Sequence, residues 1–289
     1  MHMADPAHAA EAHAAEAHAA KAHAAEAHYD AAAVAPAPSE RSALQRFHNE
    51  AKRQLLHAFA WRSGRLLDLA CGRGGDLHKW RALQIAYVKG LDVSERSLDE
   101  ARSRAGTSGR TLMDFERADL RAPWSDGSNG SGGAEYDAVS CMFALHYFFE
   151  SEATARTLFA TVARALKVGG VFFGIVARGR SVLERLREGR LRDECVALRC
   201  AWHGTPACFG SGYTCALQGT VTQNSEVVEY LVFANVLTTL ARLHGLAPVP
   251  ITAPAFEREG PLHLLRPPYA GAEGDASRLY AGFALRRVA

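Results

Sequence analysis

The sequence predicts an α/β fold built on a mostly parallel, Rossmann-like sheet flanked by helices, and three observations carry that prediction. Arg65-Leu-Leu-Asp-Leu69 is a short apolar run of the length of a buried parallel strand, and it leads into Gly72, Gly74 and Gly75. Helical spacing resumes over Asp76–Leu83, and a second strand, Tyr87-Val-Lys-Gly-Leu-Asp92, ends in an acid. Strand, glycine turn, helix and acid-terminated strand form the nucleotide-binding half of a doubly wound sheet, with its ligand at the carboxyl ends of the strands. The chain is also long enough: of 289 residues, 48% hydrophobic, about 250 look like one sizeable domain.

The glycine turn reads Ala70-x-Gly72-x-Gly74-Gly75 rather than G-x-G-x-x-G. Asp76 follows at once, and a carboxylate there is a poor neighbour for a pyrophosphate, which needs an open helix N-terminus. It suits a ligand carrying an ammonium and a sulfonium. Both details favour S-adenosylmethionine over NAD, with Asp92 accepting the two ribose hydroxyls.

Net charge is +2 with histidine neutral, so the whole chain is no polycation and any nucleic-acid contact must be local. Six cysteines, Cys71, Cys141, Cys195, Cys200, Cys208 and Cys215, form no C-x-x-C pair. They read as reduced thiols of an intracellular protein, and the spacing of the last four with His203 fits no common zinc pattern, so no metal is expected. No apolar run approaches eighteen residues and no signal peptide is visible, which predicts a soluble protein with no membrane partner.

The remaining elements follow in order. Residues 7–28 repeat Ala-His-Ala-Ala-Glu with histidines five apart. A five-residue step advances about 140° round a helix, so these histidines line no single face. With the alanine/proline linker that follows, residues 1–38 read as a low-complexity tail and 39–289 as the folded domain. Ser39–Phe59 is the first helix, with Leu44, Phe47, Leu55, Leu56 and Phe59 at helical spacing and Asn49 and Lys52 within it; Lys52 could reach a ligand carboxylate. Ser94 caps a helix over Glu95–Ala105. Leu112–Ala118 is the third strand, followed by Asp119, which with its neighbours would reach an adenine edge. Arg121–Gly133 is a surface insertion. Tyr136–Met142 is the fourth strand and runs into Phe143-Ala-Leu-His146-Tyr147-Phe-Phe149, which presents rings to a planar base where the site must lie. Ser151–Leu166 is an amphipathic helix stopped by Lys167-Val-Gly-Gly170, and Val171–Val176 is the fifth strand. Arg178–Arg199 carries seven arginines among four acids, mostly a solvated helix face, though a few could hold phosphates. Tyr213–Val221 is a strand. Glu229 and its apolar neighbours run into a helix ending near Gly245, and Leu246–Ile251 and Leu279–Val288 are the last two strands, paired antiparallel at the sheet edge.

Two segments together resemble the eukaryotic and viral mRNA cap (guanine-N7) methyltransferases. Asp68-Leu-Ala-Cys-Gly-Arg-Gly-Gly-Asp-Leu-His-Lys-Trp80 matches the family pattern Asp-Leu-Gly-Cys-Gly-Lys-Gly-Gly-Asp-Leu-x-Lys-Trp. Tyr136-Asp-Ala-Val-Ser-Cys-Met-Phe-Ala-Leu-His-Tyr-Phe-Phe149 matches Phe-Asp-x-x-Ser-x-Gln-Phe-x-x-His-Tyr-x-Phe, the more specific of the two. Val182–Arg190 and Glu229-Tyr230 look like further family segments, and the resemblance covers roughly Phe47–Val288.

The resemblance implies a class I S-adenosylmethionine-dependent methyltransferase with a seven-stranded, mostly parallel sheet. It implies that Lys52, Ala70, Gly72, Asp76, Asp92, Asp119, Met142 and Tyr147 line the S-adenosylmethionine pocket. Phe143, His146, Tyr147, Glu229 and Tyr280 would hold the cap guanine, with Asn49 also on the substrate side and Arg73 and Arg104 near the triphosphate bridge. It further implies capped RNA (GpppN) as substrate, a nuclear setting or a cytoplasmic one if virus-encoded, and other capping enzymes, a triphosphatase and a guanylyltransferase, as partners. No Lys-x-Asp-Gly guanylyltransferase signature is present. The chain departs from the family at Ala70 for glycine, Met142 for glutamine and Ala177 for proline. Guanine N7 has a lone pair and no proton to lose, so no general base is expected; His146, Tyr147 and Glu229 would position the base. Two other readings remain open at this point: a methyltransferase for another substrate, and a silent cap-binding subunit of a capping complex.

Overall fold

The computed structural model describes residues 41–106, 109–125, 136–189, 191–218, 220, 222 and 227–288. The alanine/histidine tail and most of the surface insertion, from 126 on, lie outside the described residues. Helix α1 spans Ala43–Ala60 rather than starting at Ser39. Ser42 sets that start: its hydroxyl accepts from the Gln45 amide at 3.2 Å and the Gln45 side chain accepts from the Ser42 amide at 3.0 Å, a reciprocal capping box that satisfies two otherwise orphaned donors.

The sheet core follows from contiguous apolar runs. Strands β1 (Arg65–Leu69), β2 (Tyr87–Asp92), β3 (Leu112–Arg117), β4 (Tyr136–Met142) and β5 (Leu166–Ala177) are parallel. Between them lie α2 (Leu77–Ala82), α3 (Glu95–Ala105), a 3-10 helix (Leu145–Glu150) and α4 (Glu152–Ala165). Side chains alternate across the sheet. Leu66, Val88, Ala138 and Phe173 face α1, α2 and α3, whereas Leu67, Leu91, Val139 and Phe172 face the opposite layer with Phe159. Both faces are covered, which is why the strands read as near-continuous hydrophobic sequence. Ser94 and Ser151 cap α3 and α4, each hydroxyl accepting from the amide three residues on.

The C-terminal half differs more from expectation. After α5 (Gly179–Arg187), β6 (Val196–Cys200), β7 (Gly212–Leu217) and β8 (Val228–Tyr230) form a separate three-stranded antiparallel sheet. Helix α6 (Ala234–Leu243) leads to β9 (Leu246–Pro248), β10 (Phe256–Glu259), β11 (Leu262–Leu265), α7 (Ala272–Ser277) and β12 (Tyr280–Arg287). The main sheet has nine strands, not seven, in the order β10-β11-β12-β5-β4-β1-β2-β3 with β9 also on β12. β9 and β12 pair antiparallel as expected, but β12 lies inside the sheet, between β5 and β11, and β10 takes the edge. Lys167-Val-Gly-Gly170 follows the end of α4 but belongs to β5, where the pairing register shifts between Tyr136 and Ala138. Three arginines of this segment are held in ion pairs: Arg178 with Glu259 on β10, Arg180 with Glu184 at 2.7 Å, and buried Arg185 with Asp193. No described helix is long and apolar enough to cross a membrane.

Candidate active site

The loop after β1 is shaped by alternating left-handed residues: Ala70 at φ +56°, Gly72 at +52° and Gly74 at +64°. Glycine adopts this region freely, whereas an L-residue there costs about 1–2 kcal/mol. A Cβ on Gly74 would also sit 2.7 Å from Leu77, while one on Gly72 would meet nothing within 4 Å. The loop is therefore packed against its own helix at Gly74 and open at Gly72. Ala70 keeps its methyl group in the strained conformation, so it is a residue at odds with its own backbone.

Asp92, at the end of β2, pins this loop. One carboxylate oxygen accepts from Gly72 N at 2.8 Å and the other from Ser94 N at 3.0 Å. A carboxylate oxygen can accept more than one hydrogen bond, so a ribose hydroxyl is a chemically suitable donor to this acid. Asp76 is buried and accepts from Lys52 Nζ at 3.0 Å and from Lys79 Nζ at 2.7 Å; Lys79 also donates to Asn49 Oδ1 at 2.9 Å. Burial alone would raise the Asp76 carboxyl, but the two ammonium groups outweigh it and hold it below the usual range. With two lysines on it, Asp76 is not a bare negative charge: the cluster presents both signs. That pattern fits the ammonium and carboxylate of an amino-acid terminus.

Asp68, which sequence reasoning passed over, lies in β1 beneath this cluster and accepts from the Ser140 hydroxyl on β4. Burial, reinforced by the Asp76 carboxylate, pushes it up to about 7.

The C-terminal end of β4 builds the second half of the site. Phe143 is held at φ +59°, an outlier for a bulky residue that the surroundings must enforce; its amide donates to Ile175 O at 2.8 Å. Its ring stacks on His48 from α1 (4.8 Å, 29°) and meets Tyr280 of β12 edge-on (5.1 Å, 75°). Lys52 Nζ lies 5.9 Å from the Phe143 centroid, which joins the two halves.

Behind this aromatic wall is a buried polar group. His146 and Glu229, 2% and 3% exposed, stand with His146 Nε2 3.6 Å from Glu229 Oε1, too far for a hydrogen bond. Tyr213 sits directly across from Glu229 in the β7–β8 pairing. Among the described residues, His146 Nδ1 and Nε2 have no hydrogen-bond partner, while the Tyr213 phenol and the Glu229 carboxylate, both buried, face one another. Burial raises Glu229 to about 7, against an opposing pull from the Tyr213 phenol, and lowers His146 to about 3. Buried polar atoms are ordinarily satisfied, so two unpartnered imidazole nitrogens beside a buried acid mark where a polar ligand fits. Tyr147 is half-buried beside them, its ring 4.4 Å from that of His146.

The other candidates sit around this centre. Met142 is half-buried at the end of β4, paired with Ile175. Arg104 donates to Arg73 O at 2.6 Å and both arginines flank Glu100, so the two come together beside the glycine loop. Asp119 accepts two hydrogen bonds from the Arg121 guanidinium at 2.9 Å each, so its carboxylate is paired. Ala177 pairs with Tyr280 across β5 and β12. His48 and Tyr213 join Asp68 as site residues that the sequence did not single out.

Comparison with known proteins bears on this geometry. The family profile described as the mRNA (guanine-N(7))-methyltransferase domain matches residues 9–251. Two proteins named mRNA cap guanine-N(7) methyltransferase are similar: one from Cryptococcus neoformans, 33% identical over 216 residues, covering 70% of this chain and 34% of that protein; one from Drosophila melanogaster, 29% identical over 234 residues, covering 70% and 52%. One named mRNA cap guanine-N(7) methyltransferase 1, from Arabidopsis thaliana, is 33% identical over 159 residues, covering 50% and 41%. The chain thus spans about a third to a half of the length of the curated relatives it matches. Crystal structures of S-adenosylmethionine-dependent methyltransferases from Mesorhizobium loti (TM-score 0.51, 19% identity, 83% of this chain and 98% of that one) and Clostridium acetobutylicum (TM-score 0.52, 12% identity, 84% and 91%) share the fold. The fold is accordingly that of the class I methyltransferases, and with the profile matched over most of its length the chain belongs to the mRNA (guanine-N(7))-methyltransferase domain family.

Proposed function

We propose that this chain transfers the methyl group of S-adenosylmethionine to N7 of the terminal guanine of GpppN-capped RNA. The observation that carries the reading is the buried polar group of His146, Glu229 and Tyr213, in which both imidazole nitrogens lack a partner, set behind Phe143 and Tyr280 at the carboxyl end of β4. Guanine offers N1–H and N2–H2 donors on one edge, and ionised Glu229 is the acceptor that fits them; adenine lacks that pair. Phe143, locked by its backbone and by His48, is a fixed surface for the purine plane.

On the donor side, Lys52 and Asp76 would take the carboxylate and ammonium of the amino-acid terminus, Asp92 the ribose hydroxyls, and Ala70, Gly72, Asp119, Met142 and Tyr147 the rest of the pocket. S-adenosylmethionine supplies an electrophilic methyl group on a sulfonium. The protein's residues need only align the acceptor nitrogen with it, since N7 carries no proton. His146, neutral through burial, acts as a positioning donor. Asn49, Arg73 and Arg104 would face the triphosphate bridge. In this reading residues 39–289 are the catalytic domain and 1–38 a separate tail, the site of action is where transcripts are capped, in the nucleus for a cellular enzyme, and triphosphatase and guanylyltransferase steps belong to partners.

The test is methylation with labelled S-adenosylmethionine of GpppG-capped, ApppG-capped and uncapped RNA. Label confined to the guanine-capped RNA, and nearly abolished by Glu229→Ala while donor binding by calorimetry survives, is the expected result. Turnover indifferent to the cap would point to another substrate. Cap binding without turnover would point to a silent subunit.

A further inference from the structure

A basic and aromatic strip lies outside both pockets, along the second half of α1. Arg53, His57 and Trp61 follow one another at four-residue steps and share one helical face, with Trp61 at the C-cap. Trp61 is 56% exposed, yet it is held in place. Its ring stacks on His57 (5.7 Å, 11°), and the Arg62 guanidinium stands 5.2 Å from its centroid. The backbone beside it is just as fixed. Arg62 and Gln84 both lie in the left-handed region, at φ +54° and +56°. The Arg62 amide donates to Leu83 O at 2.9 Å and its Nε to Gln84 Oε1 at 3.2 Å. Glycine would meet that backbone without strain. Two long polar side chains stand there instead, and they clamp the turn after α1 to the turn after α2.

Leu83 also lines a groove between α1 and α2, together with Arg53, His78, Lys79 and Ala82. Residues 43–65 and 77–87 carry seven lysines and arginines against one acid, Glu50, in a chain of net charge +2. Lys52 and Lys79 are committed to Asp76, and Glu50 accepts from Arg53 Nε at 2.7 Å. The strip thus joins guanidinium groups to an open aromatic pair. A polyanion with planar bases matches both features: phosphates suit the guanidiniums and bases suit the rings. An acidic protein segment would match the charge alone.

We propose that Arg53, His57, Trp61 and Arg62 form a binding surface for the single-stranded RNA that follows the cap: a base stacks on the His57–Trp61 pair, and Arg53 and Arg62 meet the flanking phosphates. This rests on the cap methyltransferase reading. Trp61 lies nine residues beyond Lys52, about 13 Å along the helix axis, so the strip meets the transcript rather than the methylated base. It reads no sequence, because every base offers a π face.

Three variants separate stacking from charge. Trp61→Leu keeps an apolar side chain and removes the π face, Trp61→Phe keeps a ring, and Arg53→Gln removes one charge. Fluorescence anisotropy gives the affinity of each for single-stranded RNA of about 16 nucleotides, capped and uncapped, over a salt series. Initial rates give KM for the GpppG dinucleotide and for the capped RNA. Trp61→Leu should weaken the capped RNA about tenfold, the size of one stacked base, and raise its KM alike, with the GpppG KM within about twofold; Trp61→Phe should keep most of the affinity. Arg53→Gln should lower the salt slope by about 0.7, the value of one phosphate contact on a single strand, whereas Trp61→Leu should leave the slope unchanged. RNA affinity equal in parent and Trp61→Leu overturns the proposal, as does an equal rise of the GpppG and capped-RNA KM values. Polyglutamate that displaces the RNA and binds parent and Trp61→Leu alike, as tightly as RNA does, also overturns it and marks a surface for an acidic protein. A parent that binds uncapped RNA through Trp61 but does not methylate the cap overturns the functional reading and leaves this surface standing on the binding data.

Discussion

Glu229→Gln should make the ligand-free protein more stable while removing its hold on guanine. Glu229 is 3% exposed, its nearest polar neighbours are the neutral His146 imidazole and the Tyr213 phenol rather than a cation, and burial holds its pKa at about 7 against an ordinary 4.5. With the folded pKa raised, the native state prefers the protonated acid. The favourable contribution is complete below pH 4.5 and is lost as pH rises through about 7. At 1.36 kcal/mol per unit, ionising this buried carboxyl destabilises the fold by about 3 kcal/mol at pH 8. Glutamine has nearly the same volume and no charge to bury. The variant should therefore exceed the parent by about 3 kcal/mol at pH 8 and by under about 1 kcal/mol at pH 5, with a melting temperature about 6–12 °C higher at pH 8. Asp68, also raised to about 7, titrates in the same window in both proteins and cancels in the difference. Urea unfolding of parent and variant at the two pH values, without nucleotide, measures both gaps. A gap of the same size at pH 5 and pH 8, or a variant less stable than its parent at pH 8, would refute the assignment of Glu229 as an uncompensated buried acid.

Further consequences follow from the same geometry. Because guanine donors favour the ionised carboxylate, the KM for GpppG-capped RNA should fall about tenfold per unit as pH rises toward 7 and level off above it; a flat profile would mean that Glu229 does not read the base. Tyr213→Phe removes the phenol that pulls Glu229 down, so the same profile should shift to higher pH in that variant. Ala70→Gly relieves a left-handed alanine at φ +56° and should raise stability by about 1 kcal/mol, or about 2–4 °C, at unchanged turnover; a lower melting temperature would show that the alanine methyl group matters more than the backbone. Asp76→Asn leaves Lys52 and Lys79 without their shared carboxylate and should raise the donor KM about tenfold to a hundredfold, with the acceptor KM little changed in the same initial-rate assay.

What was legible in the sequence is what steric and solvation rules force. β1 and β2 had to be largely apolar because both sheet faces are covered, and the loop after β1 carries glycine at two of its three positive-φ positions. β10 was not legible for the opposite reason. Phe256-Glu-Arg-Glu259 is an edge strand whose last three residues are exposed, so it reads as a polar loop. The residues missed in the site are those already accounted for by packing. His48 did leave a signal: Leu44, His48, Ala51 and Leu55 fall on one buried stripe of α1, and an imidazole interrupts an otherwise apolar row. Asp68 left another, an acid amid apolar neighbours in a strand buried throughout that segment. Tyr213 left none, because tyrosine in a strand needs no explanation.

The charge states of the buried residues at this site bear directly on the proposed chemistry. Methyl transfer from a sulfonium to a neutral purine nitrogen moves positive charge from the donor onto the base. Protonated imidazoles at His48 and His146 would oppose that movement, and at low effective dielectric the repulsion would be several kcal/mol. Burial lowers both to about 3 and keeps them neutral. The same burial raises Glu229 to about 7, which destabilises the free protein but leaves a carboxylate that only a matching ligand satisfies. Desolvation of this corner thus disfavours charge on all three groups: it removes positive charge that would resist reaction, and it leaves Glu229 only part-ionised near neutral pH, so that the negative charge able to stabilise the cationic product grows as pH rises through about 7.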